Sequence, residues 1–349
     1  MTRVGAVDCG TNSIRLLIAD GVEAPGGPKL RDLHREMVVV RLGQGVDATG
    51  CFADEAIERT RVALARYAST MRELGVERVD MVATSATRDA GNRDEFFAMT
   101  AELLSTVEPG AVARVISGDE EARLSFRGAV GDLDPALGPF AVTDLGGGST
   151  ELVVGDASGV RAAYSADVGC VRTTERCLRG DPPSDEEIAA AQEFIAQRLA
   201  PAFEAVDVSG VRTWVGVAGT MTTLAALVAG LDEYDPTRIH LSQASLTDLH
   251  RVCWDLVAMT REQRAALVVL MVLTAVLALV LIVERTGEAV ANDDVRRGLD
   301  VAARRRGAQQ DDAPGRLGRP GHRIRRRRPP SCSLRRSAAA GRALPPPRR

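Results

Sequence analysis

Two carboxylates bracket three consecutive glycines in Asp144-Leu145-Gly146-Gly147-Gly148-Ser149-Thr150-Glu151. Glycine lets a backbone approach a ligand closely and turn successive N–H groups toward one point, which makes a nest for an anion. Carboxylates beside a phosphate would repel it unless a cation stands between them. Mg²⁺ is the simplest, because it takes hard oxygen ligands and shares them with substrate. The plainer alternative is a glycine-rich hairpin whose acids are incidental. Apolar Phe140-Ala141-Val142 leads in and Leu152-Val153-Val154 leads out, so the stretch predicts strand, tight turn, strand.

The same outline occurs near the start of the chain. Val4 to Val7 is an apolar run ending in Asp8, Cys9-Gly10-Thr11-Asn12-Ser13 is a turn, and Ile14 to Ala19 returns. Two such hairpins, about 136 residues apart, predict a duplicated α/β domain with a ligand between its halves. A third strand-to-glycine loop, Thr213 to Thr220, leads into a helix over 221–229 and puts Gly219 and Thr220 at a second ready anion site. Other groups of the right chemistry are Arg15, Arg88 in Thr84-Ser85-Ala86-Thr87-Arg88-Asp89, and the adjacent Glu120 and Glu121. On a helix adjacent residues point about 100° apart, so only one of the two acids can readily face a cleft. Each has a structural alternative: Asp8 as a turn acid, Arg88 as a surface ion-pair residue, Glu121 as a helix N-terminal acid, and Ser13 and Ser149 as closers of their own turns. Arg172, beside Gly169, is either a phosphate ligand or a structural cation.

Elements that would position these groups follow from periodicity and punctuation. Strands are expected over 36–42, 79–83, 111–116 and 160–165, with 21–29 a loop. Helices are expected over 54–74, over 93–107 with Asn92 as cap, from Ser117, from Ser184 to about Leu199, and over 245–258 and 261–284. Residues 265–283 carry no charge, so they read as a membrane span or as a buried core helix; the α/β pattern before them favours the core helix.

The chain has 349 residues, long enough for about two domains, and a net charge of −3. From Arg304 onward there are fifteen arginines against Asp311 and Asp312, so residues 1–303 carry −16. An acidic body is not expected to bind nucleic acid, and a polyanion would need a local basic groove. The tail from 304 reads as disordered, either a polyanion-binding arm or a solvated extension. Six scattered cysteines without a CxxC pair, and four isolated histidines, form no visible zinc cluster; reduced thiols in a cytoplasmic protein are expected.

Five stretches, in order, resemble the exopolyphosphatase / guanosine pentaphosphate phosphohydrolase family of the sugar kinase–Hsp70–actin superfamily. They are Ala6 to Arg15, Ala83 to Ala90, Val115 to Leu124, Thr143 to Leu152 and Gly216 to Thr220. The likeness is good over about 1–260 and weak over 261–303. It implies two actin-like (ribonuclease H-like) α/β domains, 1–125 and 126–303, with the site in the cleft between them and the tail 304–349 outside. It implies Glu121 as catalytic base, with Glu151 and Asp144 handling metal and water and Asp8 helping to place Mg²⁺. Thr11, Asn12, Ser13, Gly146, Gly147, Gly148, Ser149 and Thr150 would hold phosphates, and Arg15 and Arg88 would neutralise them.

The expected activity is Mg²⁺-dependent release of the terminal phosphate of inorganic polyphosphate. Guanosine pentaphosphate hydrolysis is the alternative substrate, and a non-catalytic polyphosphate- or nucleotide-binding regulator is the alternative class. A base in a phosphate cleft has no obvious use in a binder, so Glu121 favours the enzyme. A homodimer, without nucleic-acid or membrane partners, is the expected assembly.

Overall fold

In a computed structural model of the chain, residues 2–24, 27–131 and 133–267 are described. Strands β1 (Arg3–Cys9), β2 (Ser13–Ala24), β3 (Gly27–Val39), β4 (Arg78–Ala83) and β5 (Arg114–Val115) form one sheet in the order β3-β2-β1-β4-β5. The first three are antiparallel neighbours, and β4 and β5 add in parallel. Helices α1 (Val46–Thr49), α2 (Asp54–Glu73), α3 (Ser85–Asp89) and α4 (Arg93–Leu104) belong to this half. Helix α2 lays Leu64, Tyr67 and Met71 on the sheet residues Val7, Ile14 and Met81, and the Tyr67 hydroxyl donates to the Ile14 carbonyl at 3.0 Å.

The second half begins with α5 (Gly118–Val130) and builds its sheet from β6 (Phe140–Leu145), β7 (Thr150–Asp156), β8 (Gly159–Ala166) and, after α6 (Cys170–Cys177) and α7 (Asp185–Ala205), β9 (Thr213–Val217). The order β8-β7-β6-β9 repeats the first sheet: two antiparallel pairs, then a parallel neighbour to the leading strand. This is the duplicated α/β arrangement expected from the two hairpins. Alternation along β6 and β7 explains the layering. Phe140, Val142 and Val153 face Ala122 and Phe126 of α5, whereas Ala141, Leu152 and Val154 face Ala202 and Val206 at the end of α7. Helices α8 (Ala218–Val228), α9 (Pro236–Ile239), α10 (Leu246–Ala258) and α11 (Arg261–Ala266) complete the described chain.

Several local expectations shift. Helix α5 runs across the 125/126 position expected to divide the halves, and its apolar face belongs to the second sheet. Residues 21–29 are not simply a loop: β2 and β3 form a hairpin reaching Ala24 and Gly27. Charged residues on both faces of β3 hide the period-2 signal there. Asn92 precedes α4 without capping it by its side chain; that amide instead accepts from Phe52 N at 2.8 Å and donates to Phe52 O at 3.1 Å. Ser117 and Ser184 do cap α5 and α7, accepting from Glu120 N and Glu187 N. The helix expected over 261–284 is seen as α11 to Ala266; the apolar run from 268, the rest of the weakly matching stretch to 303 and the tail lie outside the described residues. Among the described residues no helix is long and apolar enough to cross a membrane.

Candidate active site between the two hairpins

The turns of the two hairpins share one geometry. Gly10 N donates to Ser13 O at 2.9 Å, and Gly146 N donates to Ser149 O at 3.1 Å. The turns also meet. A Cβ on Gly147 would lie 3.1 Å from Thr11 Cβ and 3.2 Å from Asn12 Cβ, and one on Gly148 would lie 2.6 Å from both Thr11 Oγ1 and Ser85 Oγ. The glycines are therefore required first by the close approach of the halves.

The second turn is also oriented. Gly146 O accepts from Cys170 N at 3.0 Å, Gly147 O accepts from Val171 N and Arg172 N at 2.8 and 3.2 Å, and Gly148 O accepts from Arg172 Nε at 3.0 Å. In a trans peptide the N–H points opposite to the preceding carbonyl. The N–H groups of Gly147, Gly148 and Ser149 therefore face away from α6. Among the described residues they donate no backbone hydrogen bond. That is the donor side of an anion nest.

Four carboxylates gather beside this nest. Asp8 lies across the ladder from Arg15, and Asp144 across from Glu151. Burial pushes the Asp8 carboxyl up; Arg15 opposes the shift and Asp144 adds to it. Burial likewise raises Asp144, against the Ser125 hydroxyl bonded to its Oδ2 and against Arg15. Glu151 is 1% exposed. Burial raises it well above the usual carboxylate range, then Glu121 and Asp144 raise it further; Ser165 Oγ, donating to Oε1 at 2.7 Å, opposes. Glu121 is pushed up to about 7, by burial first, while Arg88 pulls it down.

Position on α5 settles which glutamate faces the site. Glu120 turns outward to Arg114 at 2.6 Å. Glu121 Oε2 accepts from Arg88 Nη1 at 2.8 Å, and the same nitrogen donates to Ile116 O at 3.0 Å. Arg88 is thus an ion-pair residue of the site, with its side chain 23% exposed. Beside it opens a groove of about 410 Å³ lined by Arg88, Gly118, Tyr164 and Ser165 among others. At the third loop, a Cβ on Gly219 would lie 4.0 Å from Arg15 Nη2, so the start of α8 reaches the same region.

A profile described as the Ppx/GppA phosphatase family matches residues 19–296. The chain belongs to the Ppx/GppA phosphatase family. Exopolyphosphatase 2 of Mycobacterium tuberculosis is 58% identical over 267 residues, 76% of this chain and 83% of that protein. The crystal structure of an exopolyphosphatase-like protein is similar with TM-score 0.75 at 39% identity, covering 84% of this chain and 90% of that one. The Ppx/GppA family member of Aquifex aeolicus gives TM-score 0.64 at 32% identity, over 83% and 91%.

Within this Ppx/GppA fold not every expected group is offered to a ligand. The buried Thr150 hydroxyl donates to Val168 O at 2.6 Å, and Thr220 is buried beside Cys170. Thr11 and Asn12 give their carbonyls to the 40–43 segment, Thr11 O to Gly43 N at 2.8 Å and Asn12 O to Arg41 N at 2.9 Å. The Ser13 carbonyl closes its own turn, as the Ser149 carbonyl closes the other. Arg172 points away from a phosphate role, since its guanidinium is taken up by Asp47 and Asp89. Ser125 and Ser165 went unnoticed in the sequence. Ser125 had a signal, standing four residues after Glu121 on one helix face. Ser165 had none, because its place opposite Glu151 depends on the β7–β8 register.

Among the described residues no three His, Cys, Asp or Glu side chains converge closely enough to hold a metal ion by themselves. Mg²⁺ needs no such cage, since one or two carboxylates with water and phosphate oxygens suffice. The half-buried Asp8 and Asp144 supply hard oxygen donors of that kind; burial first raises both carboxyls, Asp144 adds to the shift of Asp8, and a cation would favour their charged forms.

Proposed function

We propose that the chain is an exopolyphosphatase, hydrolysing the terminal phosphoanhydride of inorganic polyphosphate. The observation that carries this reading is Glu121, half-buried, held by Arg88 at 2.8 Å and close enough to feel the charges of Asp8, Asp144 and Glu151, the last two of which flank the glycine turn. The names of the relatives support the substrate class. Phosphoryl transfer needs little covalent help; it needs an aligned water and neutralised phosphate oxygens. The Gly147, Gly148 and Ser149 amides would hold the terminal phosphate oxygens. Arg15 would neutralise charge from the opposite hairpin. Arg88 fixes one oxygen of Glu121, and the other is left to take the proton of the attacking water. Water oxygen bonds to the terminal phosphorus, the bridging P–O bond breaks, and orthophosphate leaves a chain one unit shorter. Mg²⁺, held by Asp8 and Asp144, with Glu151 completing the set through water, would neutralise the charge that develops on the bridging and equatorial oxygens.

We further propose a cytoplasmic homodimer, which sedimentation equilibrium tests. Orthophosphate release from tripolyphosphate, long polyphosphate, guanosine pentaphosphate and ATP, each with Mg²⁺, tests the substrate. Release from polyphosphate is expected to dominate. Preference for guanosine pentaphosphate moves the assignment to the nucleotide, and tight binding without release makes the protein a regulator.

A further inference from the structure

Arg172 joins both halves of the molecule to the glycine turn. Its Nη1 lies 2.5 Å from Asp47 Oδ1 on α1, its Nη2 lies 2.5 Å from Asp89 Oδ2 at the end of α3, and its Nε donates to Gly148 O at 3.0 Å. Arg176, one turn further along α6, bonds both oxygens of Asp47. Two cations and two carboxylates thus balance across the junction, and the Arg172 side chain is only 13% exposed. Each nitrogen of its planar fork donates to a different residue, which a point-charge ammonium could not reproduce.

The three carbonyls of the turn are not held alike. Gly146 O and Gly147 O receive the first backbone amides of α6, while Gly148 O receives a side chain alone. The peptide that Arg172 holds is the one whose N–H belongs to Ser149. Without that bond the Gly148–Ser149 peptide can rotate, because Gly148 imposes little restriction.

We propose that Arg172 is a positioning residue for the reaction: gripped by Asp47 and Asp89 of the first half, it fixes the Gly148 carbonyl and so keeps the Ser149 amide on the phosphate side of the turn. This rests on the phosphate-binding reading of the turn. It makes the donor set of one half depend on acids of the other, so that the nest is complete only when the halves are in register.

The test uses the full chain and three variants, Arg172→Lys, Asp89→Asn and Arg172→Ala. Tripolyphosphate with Mg²⁺ is titrated calorimetrically, and kcat and KM for its hydrolysis are measured beside Tm. Arg172→Lys, which keeps the charge and loses the fork, is expected to weaken tripolyphosphate binding about tenfold to hundredfold, the scale of a lost charge-assisted bond. The loss should appear in KM as well as kcat. Asp89→Asn, which retains the arginine, is expected to show a smaller loss in the same direction. For Arg172→Ala, free guanidinium should restore binding and turnover at least about tenfold, and urea at equal concentration should not. Tripolyphosphate affinity in Arg172→Lys equal to wild type overturns the inference alone. Guanidinium that restores Tm without restoring affinity does the same, because it leaves Arg172 a purely structural role. A wild-type chain that binds no tripolyphosphate overturns the phosphate-nest reading and the inference with it.

Discussion

Arg15 and Glu151 occupy the same place in the two halves: each is the cross-strand partner of the aspartate one residue before the end of its half's first strand, Asp8 and Asp144 respectively. A duplicated hairpin has thus kept a cation on one wall and an acid on the other. The asymmetry suits a reaction with charge to neutralise on one side and a water to activate on the other. Arg15→Gln should therefore raise KM for polyphosphate and lower kcat/KM about tenfold to hundredfold. Glu151→Gln should act mainly on kcat. Steady-state kinetics of the two variants decide it, and matching KM-only effects would remove the division of labour.

Glu121→Gln should lower kcat by about 10²- to 10⁴-fold, the contribution of a general base, with tripolyphosphate binding retained. Phosphate release at the wild-type rate would sink Glu121 as base. The same variant carries a stability signature in metal-free protein. The folded-state carboxyl sits at about 7, above its ordinary value of 4.5, because burial opposes its charge. A raised carboxyl favours the fold below the unfolded-state value, and that contribution disappears as pH rises through about 7. Glu121→Gln should match the wild-type Tm near pH 5 and exceed it near pH 8. A constant Tm difference across that range would contradict the burial-driven shift.

Much of this arrangement is legible in the sequence. Asp8 and Asp144 could be placed at strand ends because apolar runs and turn residues flank them on both sides. The duplication was legible from the same two outlines. Contacts that depend on how the halves meet were not. Arg172 reads equally as ligand or clamp until Asp47 and Asp89, far away in sequence, are brought to it. Ser165 becomes a partner of Glu151 only through the β7–β8 register. The long β2–β3 hairpin was hidden because a ribbon with charges on both faces lacks the alternation that betrays a half-buried strand.

Acid stability should depend on a group outside the cleft. Asp20, whose side chain is 6% exposed, accepts from Arg3 Nε and Arg31 Nη2, both at 2.8 Å. The hydrogen bond from Arg3, then that from Arg31, holds its carboxyl down to about 2. A depressed carboxyl stabilises the fold above the unfolded-state value, and the contribution is lost as pH falls from about 4 to about 2. Asp20→Asn should therefore lower Tm at neutral pH and flatten the fall of Tm below about pH 4. An acid limb as steep as that of wild type would show that other carboxylates dominate it.

Gly118 and Gly128 lie on the same helix but should respond differently to alanine. Replacing glycine within a helix gains about 1 kcal/mol from propensity. At Gly128 a Cβ would meet nothing within 4 Å, so Gly128→Ala should raise Tm and leave kcat unchanged. At Gly118 the Cβ would lie 2.5 Å from Ser165 Cβ and 2.6 Å from Ser165 Oγ. Relieving that overlap costs about 1–3 kcal/mol, enough to cancel or reverse the gain. It also displaces the hydroxyl that donates to Glu151 Oε1 at 2.7 Å. Gly118→Ala should therefore lower kcat about tenfold or more, whether or not Tm falls, because a positioned carboxylate tolerates little movement. Differential scanning calorimetry and initial rates on the two variants make the comparison. If both variants gain stability at full activity, the close approach of α5 to β8 is not what holds Glu151 in place.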